Sequence, residues 1–288
     1  MQSFIETPQD TNKSINFKVK GINLDEPIIM GILNVTPDSF FDGGKYLNEE
    51  TIVRKINSME YDGAQIIDIG GYSTRPGAKD VSEEDELNRV LPVVKLIKSN
   101  FDGLAISVDT FRSNIARKCV EAGADIINDI SGGSLDRKMF SCIAELNVPY
   151  VLMHIKGTPQ DMQEKPKYIN VVEEIKDFFE EKLTQLIDLG VENVILDPGF
   201  GFGKTVEHNY ELLNNLDAFS SFGKPLLAGV SRKSMINKVI NTTPDEALNG
   251  TTVLNTIALQ KGAKILRVHD IKEASETIKL TQKLNFNK

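Results

Sequence analysis

The chain has few cysteines, no long apolar run and no excess of positive charge. Its two cysteines, Cys119 and Cys142, have no spacing typical of a metal site or a disulfide framework, so we expect structural thiols in a reducing compartment. No apolar run approaches the roughly 18 residues of a membrane span, and the N-terminus lacks the features of a signal peptide. The net charge of −8 argues against a nucleic-acid surface. These absences predict a cytoplasmic protein that binds neither membranes nor nucleic acid.

Eight short apolar runs with β-branched residues recur along the 288 residues, and segments of helical periodicity separate them. The runs end about 33 residues apart, which is the length of one β/α unit. The runs span residues 27–34, 64–70, 104–109, 124–129, 149–154, 193–197, 225–231 and 263–269.

This succession predicts a single α/β domain, a (β/α)8 TIM barrel over residues 27–288. A doubly wound open sheet is the alternative. No linker rich in proline, glycine or serine divides the chain. Residues 1–26 would form an N-terminal extension that closes the bottom of the barrel, with a short strand or hairpin at 15–24.

The segment DPGFGFGKT, from Asp197 to Thr205, follows the sixth run and contains three glycines. Glycine permits tight turns and close approach of the backbone to a ligand. The spacing matches neither a Walker A loop nor the dinucleotide-binding fingerprint. A glycine-rich turn without any ligand is the alternative interpretation.

Polar side chains stand at or close to the ends of all eight runs, at the edge where a barrel of this kind has its active site. Asp109, Asn128 and Asp197 come from the third, fourth and sixth runs, so barrel closure directs them into one mouth, where they could bind a flat, amidine-like heterocycle. Asp68 is equally compatible with a structural and a functional role. For the remaining polar residues we favour structural roles, as helix N-caps, a core histidine or solvated charges: Asp129, Ser131, Asp270, His154, Lys156 and Arg232.

The predicted rim of this mouth is cationic and suited to phosphate groups, with Arg75, Lys233, Arg267 and His269. Asn34 and Asp42 supply oxygen ligands that could hold Mg²⁺ against a diphosphate. The stretches 35–46 and 72–80 are long and polar and contain glycine or proline, so we expect them to act as lids.

The chain contains a set of motifs: MGILNVTPDSF, DIGGYSTRPGA, SVDTFR, IINDISGG, VLMH with GTPQ, DPGFGFGK, GVSRKS and RVHD. Together these motifs resemble the dihydropteroate synthase family, and the resemblance extends from Pro27 to about Lys283. The resemblance implies a TIM-barrel transferase of folate biosynthesis. Such enzymes join 6-hydroxymethyl-7,8-dihydropterin diphosphate to 4-aminobenzoate and release 7,8-dihydropteroate and pyrophosphate. It further implies early cleavage of the carbon–oxygen bond to a pterin cation, which the amine then attacks.

The resemblance also implies roles for individual residues. Catalytic roles would belong to Asp109, Lys233 and Arg75. The pterin would be bound by Asp109, Asn128, Met153, Asp197, Phe202 and Lys233, the diphosphate by Asn34, Thr74, Arg267 and His269, and the 4-aminobenzoate by Phe40, Pro76, Phe202, Lys233 and Ser234. Mg²⁺ would lie near Asn34 and Asp42. The protein would be a homodimer paired through outer helices, here within residues 233–261 and 270–283.

Three residues depart from the family's pattern. Phe41 stands where a small polar residue is usual, Tyr72 where glutamate is frequent, and Asp161 where an uncharged residue is usual. The first two lie in the predicted lids. They would therefore affect how 4-aminobenzoate and sulfonamide analogues fit, and they leave the predicted pterin residues unchanged.

Three other functions compete with the synthase interpretation. A pterin-binding barrel that transfers a methyl group from methyltetrahydrofolate to a corrinoid has no diphosphate to neutralise, so it would not need the GVSRKS, RVHD and STRPG motifs. A non-catalytic paralogue would not need to retain Asn34, Arg75, Asp109, Lys233 and His269 together. A phosphosugar barrel would not need acids and an amide at the ends of the third, fourth and sixth strands.

Overall fold

The computed structural model describes residues 15, 17, 22–35, 41–42, 46–73 and 80–284. In this part of the chain, eight parallel strands close into a barrel, and the last strand pairs with the first. The barrel strands are β1 (Ile28–Asn34), β4 (Ile66–Gly70), β5 (Ala105–Asp109), β6 (Ile126–Asp129), β7 (Tyr150–Met153), β8 (Val194–Asp197), β9 (Leu226–Ala228) and β10 (Ala263–Val268); β2 (Phe41–Asp42) and β3 (Tyr46–Leu47) form a separate hairpin. The closed parallel barrel confirms the predicted TIM barrel and excludes the open sheet.

Helices alternate with the barrel strands over the described residues, as the sequence periodicity predicts. They are α1 (Glu49–Tyr61), α2 (Glu83–Asn100), α3 (Ser113–Glu121), α4 (Met139–Leu146), α5 (Val171–Asp188), α6 (Val206–Asn214), α7 (Ser234–Ile240), α8 (Leu248–Gln260) and α9 (Ile271–Lys283), with 3₁₀ helices at Leu216–Phe222 and Pro244–Glu246. None of the helices in this part of the chain combines the length and apolarity needed to cross a bilayer.

Side-chain caps fix where several helices begin after the loops at the mouth. Ser82 accepts a hydrogen bond from the Asp85 amide at the start of α2, and Asn170 does the same for the first turn of α5. Thr205 and His208 form a capping box at the start of α6. Each cap satisfies amide groups that lack a partner within the helix, so the preceding loop ends at a defined position.

The barrel interior changes from apolar at the bottom to polar at the mouth. Because side chains alternate between the two faces of a strand, every second residue points inward. The lower inward residues form one buried apolar cluster of Ile28, Met30, Ile66, Ala105, Ile126, Val151, Ile195, Leu227 and Ile265. Two residues further along six of these strands stand Asp68, Ser107, Asn128, Met153, Asp197 and Arg267. The strand register therefore places a largely polar layer directly above an apolar plug.

The described residues near the N-terminus contact this apolar plug. Ile15 and Phe17 are buried in the lower cluster, and Ile22 and Leu24 pack against it. That contact lies where a segment closing the bottom of the barrel would lie. Of the strand or hairpin predicted at 15–24, residues 16 and 18–21 are outside the described residues, and the others there adopt no strand. The division into an extension at 1–26 and a barrel at 27–288 stays a prediction.

Candidate active site

Asp68 is the centre of a buried hydrogen-bonded network across the barrel. Its carboxylate accepts from Ser107 Oγ at 2.6 Å, from Asn128 Nδ2 at 3.1 Å and from Arg267 Nε at 2.7 Å. The side chain is fully buried, and a buried carboxylate is stable only when paired and hydrogen-bonded. Asp68 therefore connects polar side chains of three other strands to its own. The sequence alone did not decide between a structural and a functional role for Asp68, and these contacts give it a structural one.

Asp109 lies at the end of β5, beside this network. Its Oδ2 accepts from Arg267 Nη2 at 2.9 Å, and it is in register with Asn128 on the neighbouring strand. Burial raises the pKa of Asp109 to about 7, although the Arg267 guanidinium lowers it. Arg267, predicted to bind a diphosphate, therefore forms ion pairs with both Asp68 and Asp109.

Asn128 carries an unpaired acceptor in the same mouth. Its amide group points Nδ2 toward Asp68, and because a carboxylate only accepts, this contact fixes the orientation of the amide. The residue is 3% exposed, yet its Oδ1 has no hydrogen-bond partner among the described residues. An unsatisfied buried acceptor costs about 1–3 kcal/mol. The Asn128 Oδ1 is therefore available to accept a hydrogen bond from a ligand N–H or from water.

Asp197 lies at the end of β8, next to Met153 of β7. Burial raises its pKa, and Lys233 is the strongest opposing influence. Asp197 Oδ1 accepts from the Gly199 amide at 2.8 Å, so the strand end also shapes the turn that follows. The Asp197 carboxylate and the Met153 thioether therefore lie side by side, so this side of the mouth has both a polar and an apolar group.

The glycines of the DPGFGFGKT segment are required by positive φ angles and close backbone contacts. Gly199 has φ 72°, and a Cβ there would lie 1.9 Å from the carbonyl oxygen of His154. Gly203 has φ 62°, and a Cβ there would lie 2.3 Å from the carbonyl oxygen of Lys156. Any side chain at either position would displace this loop from the loop that follows β7.

Lys204 fixes the same loop from within, and the sequence interpretation missed it. Its Nζ lies 2.9 Å from the Gly199 carbonyl oxygen, 3.1 Å from that of Phe202 and 3.0 Å from His154 Nδ1. An ammonium group has three donors, so these contacts satisfy all of them. Burial lowers the pKa of both Lys204 and His154. The only sequence signal was a lysine that ends a glycine-rich run.

Lys233 reaches the mouth from the turn before α7. Its Nζ donates to the Phe200 carbonyl oxygen and lies 4.8 Å from the centroid of the Phe202 ring. Burial lowers the pKa of Lys233 to about 8, while Asp197 raises it. The predicted ligand Ser234 is the next residue and is exposed. The structure thus brings Lys233, Phe202 and Asp197 together, as the sequence predicted.

His269 differs from the predicted cationic rim. Burial and the Arg267 guanidinium lower its pKa to about 4, so the imidazole is neutral at neutral pH. Its Nδ1 lies 3.0 Å from Ser231 Oγ, and that oxygen accepts from the His269 amide. The Ser231 hydroxyl can either donate to Nδ1 or accept from it, and donation would leave the ring proton on Nε2. His269 therefore brings no positive charge to the mouth at neutral pH.

The favoured structural interpretations are wrong in detail for three residues, Asp129, Asp270 and Arg232. Asp129 was expected to cap a helix, but α4 begins only at Met139, and Asp129 instead accepts from Ser131, Gly133 and the Tyr150 hydroxyl. Its role is to fix the turn after β6.

The other two of these residues, Arg232 and Asp270, form an ion pair with each other. Asp270 stands at the N-cap position of α9 without a side-chain capping bond. It pairs through both oxygens with Arg232, which is therefore partly buried rather than solvated. His154, by contrast, is the buried histidine that the sequence favoured.

The oxygen atoms near the end of β1 are of the kind that Mg²⁺ prefers. A Cβ placed on Gly70 would lie 3.3 Å from Asn34 Oδ1 and 3.9 Å from Asp109 Oδ2, so both oxygens face the same space. The described residues contain no group of three or more His, Cys, Asp or Glu that could hold a metal. Mg²⁺ is commonly held by one or two protein oxygens together with substrate phosphates, so this donor set is compatible with it.

Several predicted residues fall outside what the structure describes. They are Phe40, Thr74, Arg75, Pro76 and the side chain of Asp42. Of the remaining predicted residues, Asp109, Asn128, Met153, Asp197, Phe202, Lys233, Arg267 and His269 converge on one mouth, and Asn34 lies at its edge.

Known proteins resemble this chain over most of its length. A family model for pterin binding enzymes matches residues 30–269. Dihydropteroate synthase of Escherichia coli strain K12 is 46% identical over 91% of this chain and 93% of its own length. The solved structure of the Yersinia pestis enzyme with a sulfonamide drug has a TM-score of 0.87 at 39% identity, covering 96% of this chain and 100% of that one.

A structure of Xanthomonas albilineans dihydropteroate synthase with 4-aminobenzoic acid has a TM-score of 0.86 at 38% identity, covering 94% of this chain and 98% of that one. The match in sequence, fold and length spans the complete barrel mouth. The chain therefore belongs to the pterin binding enzyme family.

Proposed function

We propose that the chain catalyses the dihydropteroate synthase reaction. It joins 6-hydroxymethyl-7,8-dihydropterin diphosphate to 4-aminobenzoate and releases 7,8-dihydropteroate and pyrophosphate. The observation that carries this proposal is the unpaired, buried Oδ1 of Asn128, which lies beside Asp109 at the barrel mouth. A pterin presents an amino group and ring N–H groups along one edge, and such an edge needs several acceptors close together. Relatives at 44–46% identity are dihydropteroate synthases, which agrees with this chemistry.

The pterin ring lies among the acceptors of the polar layer. Asn128 Oδ1 and the carboxylates of Asp109 and Asp197 accept from its donors, and Lys233 donates to its carbonyl or ring nitrogen. Met153 and the Phe202 ring cover its faces. Because these groups are held by the strand ends and by the Lys204 contacts, little reorganisation accompanies binding.

The transfer step breaks the bond between the pterin methylene carbon and the diphosphate oxygen, and the electron pair leaves with pyrophosphate. The resulting cation is delocalised over the pterin, where Asp109 and Asp197 stabilise it. The amine of 4-aminobenzoate then forms the carbon–nitrogen bond and releases one proton. No protein nucleophile is required, and the carboxylates act through charge alone.

The diphosphate lies toward β1 and β10. His269 donates one hydrogen bond, and Asn34, Thr74 and Arg267 complete the phosphate contacts. Mg²⁺, held by Asn34 and Asp42 together with phosphate oxygens, would neutralise charge on the leaving group. The 4-aminobenzoate lies against Phe40, Pro76, Phe202, Lys233 and Ser234, and Arg75 has a catalytic role.

Identification of the product tests this function. The purified chain is incubated with dihydropterin diphosphate, Mg²⁺ and 4-aminobenzoate, and the mixture is analysed by mass spectrometry. We expect a species with the mass of 7,8-dihydropteroate that is absent when any one substrate is omitted. Release of hydroxymethyldihydropterin alone, with no coupled product, would contradict the synthase function.

Activity should depend on pH through Asp109 and Lys233. Asp109 acts ionised and has a pKa of about 7, so kcat/KM should rise as pH increases through that value. Lys233 acts protonated and has a pKa of about 8, so kcat/KM should fall above it. The profile measured from pH 5.5 to 10 should be bell-shaped with a maximum between these values. In Lys233→Arg the alkaline limb should move beyond pH 10, and an unchanged limb would exclude Lys233 as its origin.

The chain also forms a homodimer through its last helices and functions in the cytoplasm. Apolar side chains on α7, α8 and α9 are exposed: Val239 is 55% exposed, Ile240 52%, Val253 49% and Leu280 69%. An apolar outer face of this kind is typical of subunit interfaces. Sedimentation at micromolar concentration should give twice the 32.0 kDa chain mass, and Val253→Lys with Leu280→Lys should give the monomer. A monomeric parent chain would contradict the dimer.

A further inference from the structure

One loop crosses the barrel mouth and contacts the segments on both sides of it. This crossing loop, residues 155–165, follows β7 and carries two glutamines whose side-chain amides bind different segments. Gln160 Nε2 donates to the Tyr72 hydroxyl at 2.7 Å, and Gln163 Nε2 donates to the Gly201 carbonyl oxygen at 2.7 Å. The crossing loop therefore joins the segment after β4 to the glycine-rich loop after β8.

The Tyr72 hydroxyl forms two hydrogen bonds at one end of the crossing loop. It donates to Asp80 Oδ1 at 3.0 Å, which leaves its oxygen lone pairs to accept from Gln160. The direction follows because an ionised carboxylate only accepts. Glutamate at position 72 has no proton to donate and would place a second negative charge beside Asp80. This hydrogen-bond chain thus depends on tyrosine.

The Tyr72 ring rests on a rigid support next to Asp109. It packs edge-on against Phe111 with 5.2 Å between centroids, and the Arg112 guanidinium lies 5.5 Å from its centroid. Arg112 is in turn held by the fully buried Glu86 and by the Val81 carbonyl oxygen. The phenol therefore has a defined position relative to the end of β5.

The other end of the crossing loop contacts the proposed binding surface for 4-aminobenzoate. Gly201, held by Gln163, directly precedes Phe202, whose ring lies 4.8 Å from Lys233 Nζ. Loss of the hydrogen bond between Tyr72 and Gln160 would free the crossing loop at one end. The hydrogen bond from Gln163 to the Gly201 carbonyl oxygen would then be weaker. Phe202 would then sample more positions.

We propose that Tyr72 is a positioning residue whose hydroxyl, through Gln160, anchors the crossing loop and thereby orders Phe202 for binding of 4-aminobenzoate. The proposal rests on the proposed function. It assigns a role to a residue at which this chain departs from the family's sequence pattern.

Kinetics of Tyr72→Phe, which removes only the hydroxyl, test the proposal. We expect the KM for 4-aminobenzoate to rise about fivefold, the usual effect of one hydrogen bond, while the KM for dihydropterin diphosphate and kcat stay within about twofold. Gln160→Ala should give the same change, and the double variant should be no worse than either single one, because both remove the same contact. Tyr61→Phe is the matched control, since Tyr61 is 92% exposed.

Amide hydrogen exchange of residues 199–204 gives a second readout that is independent of activity. Exchange should accelerate in Tyr72→Phe and Gln160→Ala but not in Tyr61→Phe. Unchanged exchange, an unchanged KM for 4-aminobenzoate, or additive effects in the double variant would each overturn the proposal. A parent chain that forms no dihydropteroate would refute the proposed function, and the proposal about 4-aminobenzoate with it. If the parent chain is active and Tyr72→Phe changes neither the KM for 4-aminobenzoate nor the amide exchange, only the positioning role is refuted.

Discussion

Asp109→Ala is expected to lower kcat/KM for dihydropterin diphosphate by roughly a thousandfold, because a preorganised charge beside a developing cation contributes on this scale. The loss should lie mainly in kcat, since the carboxylate stabilises the cation more than the neutral substrate. Asp109→Asn should be nearly as inactive while retaining hydrogen-bond capacity. That result would attribute the effect to charge rather than to shape.

Two controls accompany this experiment. Asp102→Ala removes an exposed aspartate a few residues earlier and should leave the kinetics unchanged. Thermal unfolding of Asp109→Ala shows whether the barrel survives, which we expect because Arg267 keeps its ion pair with Asp68. A folded Asp109→Ala variant with at least a tenth of the parent activity would show that Asp109 is not catalytic.

Lys233→Ala is expected to lower kcat/KM by about two to three orders of magnitude and to weaken the binding of both substrates. The side chain donates to the Phe200 carbonyl oxygen and lies beside the Phe202 ring, so it borders both proposed binding surfaces. Steady-state kinetics with each substrate varied in turn would show both KM values rising. Calorimetry with the pterin substrate alone would measure the pterin contribution separately.

Lys238→Ala is the matched control for Lys233→Ala. Lys238 lies on α7, the short helix that follows Lys233, and it is exposed, so its removal should have no kinetic effect. Lys233→Arg keeps the charge but not the compact ammonium group, and partial activity is expected from it. If Lys233→Ala raised only one KM value, the lysine would serve one substrate instead of both.

The fold was predictable from the sequence because it depends on local periodicity. Eight apolar runs at regular spacing produced eight strands, and period-two alternation placed Asp109 and Asp197 on the inner face. The run at 225–231 became only a three-residue strand, Leu226–Ala228. The chain turns soon afterwards, where Arg232 adopts φ 56°.

The interactions among the site side chains were not predictable, because they depend on distances between residues far apart in the chain. Arg267 was predicted as a phosphate ligand, and that role stays a prediction, but its ion pair with Asp68, 199 positions away, was not foreseen. His269 was predicted as part of a cationic rim, but burial beside Arg267 leaves it neutral. Lys204 satisfies its charge within the glycine-rich loop, which no spacing rule revealed. Sequence patterns thus identified the strand ends but not the partners of each side chain.

The measurement that tests the central claim most directly is pyrophosphate release as a function of 4-aminobenzoate concentration. The parent chain receives dihydropterin diphosphate and Mg²⁺, with Asp109→Ala and Lys233→Ala measured in parallel. The account predicts release that saturates with 4-aminobenzoate and is lost in both variants. Release that is independent of 4-aminobenzoate, or no release while the pterin still binds tightly, would contradict a synthase and favour a binding-only paralogue.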